Sequence, residues 1–140
     1  MTEERMFRIL NKYLQKPELI AHARTMAQVL GGVAEALDVE NKSLWVQSGL
    51  LHDLDIDIVD YDISPELHGL KAVEILKDEC LGDEELYYAV AAHNPLTGVA
   101  ITKALHRALV VAEGLLHGQE NSIQTENVIE VILSVLAKEV

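Results

Sequence analysis

Apolar residues in this chain return every three or four positions, segment after segment, and that period commits the fold to helices. The clearest run passes from Leu19 through Ala23, Met26, Leu30, Val33 and Leu37, crossing the Gly31-Gly32 pair. Pro17 stands just ahead of it, where proline is tolerated as a first helical residue. Met6, Ile9, Leu10 and Tyr13 form a shorter face upstream. Asn41 or Ser43 is placed to cap a third helix, which runs through Trp45, Val46, Leu50 and Leu51 to His52-Asp53. Ser64-Pro65-Glu66-Leu67 reads as a cap, a first-turn proline and a first-turn acid, and predicts one helix to Asp78 with His68 near its start. Asp83 caps the next, with Leu86, Val90 and His93 on one face and Asn94-Pro95 as the stop. A helix from about Thr102 to Leu116 puts Leu109, Glu113 and Leu116 on one face and closes at Gly118. The last, Thr125 to Lys138, turns Val128, Val131, Ile132 and Val135 inward.

One stretch breaks the period. "LDIDIVDYDIS" alternates like a strand, yet five aspartates between Asp53 and Asp62 crowd like charge and no second strand exists to pair with it. It is predicted as a loop whose Asp55–Asp62 charges are solvated or support a lid. No repeat, low-complexity tract or long linker divides residues 1–140. The expectation is a single all-α domain, a compact bundle of six or seven helices.

Composition narrows the function classes. A formal net charge of -12 repels nucleic-acid backbones over most of the surface and suits a bound cation. Cys80 is the one cysteine, so no internal disulfide forms, and the cytoplasm is the expected compartment. "MTEERMFRIL" lacks a signal peptide's apolar segment, and no run reaches the roughly 20 apolar residues of a spanning helix. Long nucleic acids and membranes are therefore not expected partners. Self-association into a homo-oligomer stays open.

The stretch "GLLHDLDID" raises the chemical question, because a greasy helix ends in His52 beside Asp53. Neighbouring helical residues diverge by about 100°, so no ordinary helical ion pair explains them. His22, His68 and His93 also fall at helix edges or ends, and Glu113 sits between two apolar positions, where a carboxylate must be paired or neutralised. His106 or Arg107 on its own helix is a candidate partner. Each histidine alone reads as a structural residue. Together, imidazole nitrogens and carboxylate oxygens supplied one per helix are donors that Fe, Mn, Co, Ni and Zn accept. Other motifs fail: there is no HExxH and no Gly-rich phosphate loop. Asp53, Asp55 and Asp57 imitate an EF-hand, but Ile58 and Ser64 occupy its required glycine and acidic positions.

The order H…HD…H…H followed by an acid resembles the HD-domain metal-dependent phosphohydrolases. "HARTMAQVLGGVAEAL", "SGLLHDLD", "HGLKAVEIL", "AAHN" with "TG", and "ALVVAE" fall in that family's order between Leu19 and Leu116. By resemblance His22, His52 and Asp53 are metal ligands, Glu113 takes the place of the family's closing aspartate, and His68 and His93 serve a second metal or face substrate. The resemblance implies one or two divalent transition-metal ions and hydrolysis of a phosphate ester, of a nucleotide or another small phosphorylated molecule. Asp53 would orient the attacking water, with His68 and His93 acting on the phosphate or leaving oxygen. Lys71, i+3 from His68, would bring positive charge toward the phosphate, and Thr97-Gly98 would help wall the pocket. Glu113 departs from the family aspartate by a methylene, and "VAEGLLHG" departs from the usual sequence after it. The alternative is a metal- or ligand-binding regulatory domain without turnover, favoured by Glu113. An interaction module with purely structural histidines is the third reading.

Overall fold

The computed structural model describes residues 2–117 and 124–138. Among them are seven α-helices and no strand: α1 (Glu3–Tyr13), α2 (Pro17–Leu37), α3 (Lys42–Leu51), α4 (Leu70–Asp78), α5 (Glu84–Ala92), α6 (Ala104–Leu116) and α7 (Thr125–Lys138). No helix among the described residues is long and apolar enough to cross a membrane. The alternating run after His52 is a string of turns, as expected for a segment with nothing to pair with. Gly118, read as the close of α6, lies outside the described residues.

α2 is the axis of the bundle. Its Ala23 and Ala27 join a core with Leu10, Leu51, Leu76, Leu86 and Val90, while Met26, Leu30 and Val33 face a second core with Trp45, Leu109, Leu116 and Ile132. Each fully buried leucine contributes about 1.5–3 kcal/mol, so the two cores fix how α3, α5 and α6 sit around α2. On α7 the inward stripe is Val128, Ile132 and Leu136, and Val131 is 43% exposed, contrary to its predicted inward position. The face of α7 that its neighbours cover is narrow, and Val131 lies beyond its edge.

α1 is fastened at its end: Lys12 Nζ and the Tyr13 hydroxyl each reach Glu79 Oε2 at 2.6 Å.

α3 crosses α2 at backbone contact. A Cβ at Gly49 would stand 2.8 Å from the carbonyl carbon and oxygen of Met26 and 2.9 Å from the nitrogen of Ala27. Backbone atoms cannot swing aside, so Gly49→Ala forces the helices apart. Urea unfolding should show a loss of about 1–3 kcal/mol, the usual cost of overpacking. An unchanged midpoint would mean that α3 slides freely on α2.

The helix predicted from Ser64 to Asp78 is broken, and the break matters. Pro65–Leu67 is a short 3₁₀ turn, His68 is extended at φ -66°, ψ 125°, and Gly69 has φ 96°. Glycine tolerates that left-handed region, and α4 then starts afresh. Its cap comes from far away: Asp55 Oδ2 accepts the Gly69 N–H at 2.7 Å and the Ala72 N–H at 3.0 Å. Ser64 makes no cap bond. The extended residue turns the His68 ring into the protein instead of leaving it on a helix surface.

Candidate metal centre

Five segments deliver six side chains to one point. His22 comes from the first half of α2, His52 and Asp53 from the end of α3, His68 from the break before α4, His93 from the C-terminal end of α5, and Glu113 from α6. His52 keeps helical dihedrals (φ -64°, ψ -27°) as the chain passes from α3 into turns. The following Asp53 carboxylate thus lies beside the imidazole, with 3.2 Å between His52 Nε2 and Asp53 Oδ2. That juxtaposition answers why His and Asp adjoin at the end of a greasy helix.

Glu113 finds its partners across the bundle. Its Oε2 lies 2.9 Å from His22 Nε2 and 3.1 Å from His52 Nε2. The extra methylene relative to aspartate is absorbed, because the carboxylate reaches both rings. His106 is engaged elsewhere. Its Nδ1 accepts the backbone N–H groups of Thr102 and Lys103 at the start of α6, and its ring stacks on Tyr88.

Three imidazoles are aimed by their second nitrogen. His52 Nδ1–H donates to the Gly49 carbonyl at 2.7 Å, His93 Nδ1–H to the Val90 carbonyl at 2.5 Å, and His68 Nδ1–H to Asp55 Oδ1 at 2.7 Å. Oxygen acceptors require the proton on Nδ1, so each neutral ring presents a lone pair at Nε2. His68 Nε2 and His93 Nε2 nevertheless approach to 3.1 Å. Two lone pairs at that distance repel unless a proton or a cation lies between them. Asp53 Oδ1 stands beside them, 3.1 Å from His68 Nε2 and 3.8 Å from His93 Nε2. It is buried and makes no hydrogen bond of acceptable geometry, an orphaned anionic oxygen among nitrogen lone pairs.

These donors fit a metal. The potential ligands form two groups, His22, His52, Asp53 and Glu113, and Asp53, His68 and His93, with the donor atoms of each group within 4.8 Å of one another. Ligands about 2.1 Å from an ion stand roughly 3.0–3.4 Å apart on adjacent corners of its coordination sphere. The Nε2-to-oxygen distances here run from 2.9 Å (His22 to Glu113) to 3.8 Å (His93 to Asp53). Asp53 serves both groups, Oδ2 toward His22 and His52, Oδ1 toward His68 and His93. The hydrogen bonds from Nδ1 are the outer contacts that hold metal-binding imidazoles in one tautomer.

The charges are interlocked. Burial opposes charge on His52, but Asp53 and Glu113 outweigh it and hold the ring well above its ordinary 6.5. Burial also opposes charge on His68, and Asp53 with Asp55 carries it up to about 9. His93 falls to about 4, through burial and then the positive charge of His52. Burial pushes Asp53 and Glu113 upward, yet the neighbouring imidazoles keep both below the usual carboxylate range.

Metal loading must therefore displace protons at pH 7: that of His52 in the first group, and that of His68 when the second group is also filled. Calorimetry in buffers of different ionisation enthalpy should find the His52 proton released with one ion and the His68 proton added with two, and affinity rising about tenfold per pH unit for each proton. A release independent of metal stoichiometry would show that these rings are not the ligands. Stability has the matching sign. The raised pKa of His68 stabilises the metal-free fold fully below 6.5, and that contribution is lost as pH rises through about 9. The depressed Asp53 and Glu113 contribute above the ordinary carboxylate range, and their contribution is lost on acidification.

His22, Asp53, His68, His93 and Glu113 line the floor of a cleft of about 670 Å³, walled by Glu18, Leu19, Ile56, Tyr61, Asn94, Pro95, Val110, Gly114 and His117. Lys71 is not in it; its Nζ pairs with Glu74 at 3.0 Å, with the side chain 42% exposed. Thr97 and Gly98 are not lining residues either. Thr97 Oγ1 lies 2.9 Å from the Ala91 carbonyl, and Gly98, at φ 81°, ends the 3₁₀ turn Pro95–Thr97. Two residues belong to the site that the sequence did not single out. Asp55 is fully buried, unlike the exposed Asp57, Asp60 and Asp62 of the same run. Its place two residues after Asp53 was the only signal. Asn94 does more than end α5: its Nδ2 donates to the Pro65 and His68 carbonyls at 2.8 and 3.0 Å, holding the His68 backbone.

Neither the curated proteins nor the solved structures give a match to the chain. The family model of the HD domain matches residues 19–129, from the start of α2 into α7. That span takes in every residue of the centre, including the adjoining His52 and Asp53, and on a match covering most of its length the chain belongs to the HD domain family.

Proposed function

We propose that the protein is a metal-dependent phosphohydrolase that cleaves a phosphate ester of a small molecule. The observation that carries this reading is Asp53, whose two oxygens face the two donor groups at the floor of one cleft. His22, His52, Asp53 and Glu113 would hold one divalent transition-metal ion, and Asp53, His68 and His93 a second. Such ions supply Lewis-acid polarisation of the phosphoryl group and a lowered pKa for the attacking water.

The side chains do the rest. No lysine or arginine lines the cleft among the described residues, so metal charge and protonated histidine are the positive partners open to a phosphate. Without metal, Asp53 and Asp55 hold the His68 pKa near 9. With one ion in the first group, Asp55 still accepts from Nδ1 and favours a proton on Nε2. That proton is available to the phosphate or the leaving oxygen. Neutral His93 accepts beside it, and Asp53 orients the attacking water. Asp55 and Asn94 keep the His68 ring and backbone in place. A cleft of about 670 Å³ under a surface of net charge -12 suits a small molecule and disfavours nucleic-acid polymers.

The regulatory alternative rests on Glu113, whose contacts with His22 and His52 suit a metal ligand under either reading, so bound metal without turnover would favour it. Metal analysis of protein purified without a histidine tag, followed by a phosphomonoester screen with Mn, Co, Ni and Fe, tests the reading. Bound metal with turnover supports it. Protein that takes up none of these ions and hydrolyses nothing would sink it.

A further inference from the structure

Among the described residues, the glycines within helices have visible reasons, with one exception. A Cβ at Gly31 would meet Val46 Cγ2 at 3.0 Å, one at Gly32 would collide with Ile129, and one at Gly49 would press on the α2 backbone. Gly114 differs, since beyond its chain neighbours and its own helix backbone no described atom lies within 4 Å of the position its Cβ would take. Its dihedrals are ordinary, so no left-handed turn demands glycine there. Glycine is the poorest helix former after proline, so α6 carries an unfavourable residue that no packing contact requires.

Its surroundings give the reason. Gly114 follows Glu113 directly and lines the cleft with Val110 and His117, which share its helical face at i-4 and i+3. The missing side chain leaves room beside the metal-binding floor. Leu19, Ile56 and Tyr61 make the remaining wall largely apolar, and Glu18 adds a carboxylate to it. Apart from His117 on the wall, the groups suited to a phosphate lie at the floor.

We propose that the cleft takes a phosphate monoester whose leaving group is an apolar body without further negative charge, seated in the space over Gly114. This rests on the phosphohydrolase reading and deepens it. Gly114 sets the room for the body, and Glu18 discriminates against anionic bodies. Phosphoanhydride chains are disfavoured, because the wall that would meet their additional phosphates carries Glu18 and no lysine or arginine.

The test uses non-hydrolysable probes on the metal-loaded protein, with metal content measured in parallel. Phenylphosphonate should bind about tenfold or more tightly than methylphosphonate, the usual scale for filling an apolar pocket. In Gly114→Leu that preference, taken as the ratio of the two affinities on the same metal-loaded protein, should collapse to about one, because the new side chain occupies the body's place. Gly114→Ala should lower the preference in the same direction by a smaller factor. Both variants should melt at or above the wild-type temperature, since each replaces a helical glycine. 4-Carboxyphenylphosphonate should bind about tenfold more weakly than phenylphosphonate, and Glu18→Gln should recover most of that loss. If methylphosphonate binds but wild type shows no phenyl preference, or the preference survives Gly114→Leu, this inference is overturned and the phosphohydrolase reading stands. If the loaded wild type binds no phosphonate at all, both fall.

Discussion

Asp53→Asn protein is expected to be purified without metal and to lose phosphoester hydrolysis by at least about 10³-fold, the scale of the several kcal/mol of charge stabilisation that a metal centre supplies. The amide keeps the carboxylate's volume, so packing around the 6% exposed residue is preserved. It loses the charge that both donor groups share, and the two oxygens cannot both remain acceptors toward a cation. His52 and His68 also lose the anion that raises them, so the proton release on metal addition should fall with the affinity. His52→Ala should lose metal and activity together as well, by removing one donor of the first group. Circular dichroism has to show intact helices in both, because metal loss by itself can loosen a small domain. Retention of tightly held metal and turnover in Asp53→Asn would show that the bridging carboxylate is not part of the centre.

His68→Ala and His93→Ala are expected to behave differently: the first metal stays bound while turnover falls by about 10²–10⁴-fold, the range for groups that move protons in the transition state. Neither ring belongs to the group formed by His22, His52, Asp53 and Glu113. Asp55→Asn separates aiming from chemistry. It leaves His68 present but weakens the charge holding its Nδ1 proton, and should cost about 10–100-fold, the scale for the outer partner of a site histidine. The amide has one acceptor oxygen where Asp55 uses two, so His68 Nδ1–H or the Gly69 and Ala72 N–H groups lose their partner, and a stability loss of about 1–3 kcal/mol should accompany it. Metal stoichiometry beside kcat on one substrate distinguishes these roles. Wild-type turnover in both histidine variants would end the assignment of His68 and His93, and loss of the first metal in either would merge the two groups into one.

The helices are legible because their signals are local. Asp83 accepts the Leu86 N–H, Pro17 opens α2, and Thr125–Lys138 is helical over the bounds its pattern predicts. Pattern and structure part where a partner comes from elsewhere. The helix through His68 reads as continuous because its proline and acid are nearby, whereas the residue that restarts it is Asp55, 14 positions before Gly69. Val131 is as apolar as Val128, and only the placement of α2 and α6 leaves it facing out. Glu113 has plausible partners on its own helix, yet it meets His22 and His52, 91 and 61 residues away.

The candidate ligands could be named from residue type, helical position and family resemblance, since those depend on the order of residues along the chain. The all-helical character is likewise readable along the chain, because helix formation is governed by hydrogen bonds spanning four residues. Packing settles the rest: Asp53 divides its oxygens between two donor groups, Asp55 is buried behind His68 while Asp57, Asp60 and Asp62 are exposed, and Lys71 lies away from the cleft. Those outcomes depend on how closely helices approach, down to the absence of a Cβ at Gly49, and that distance is set by packing between segments distant in sequence.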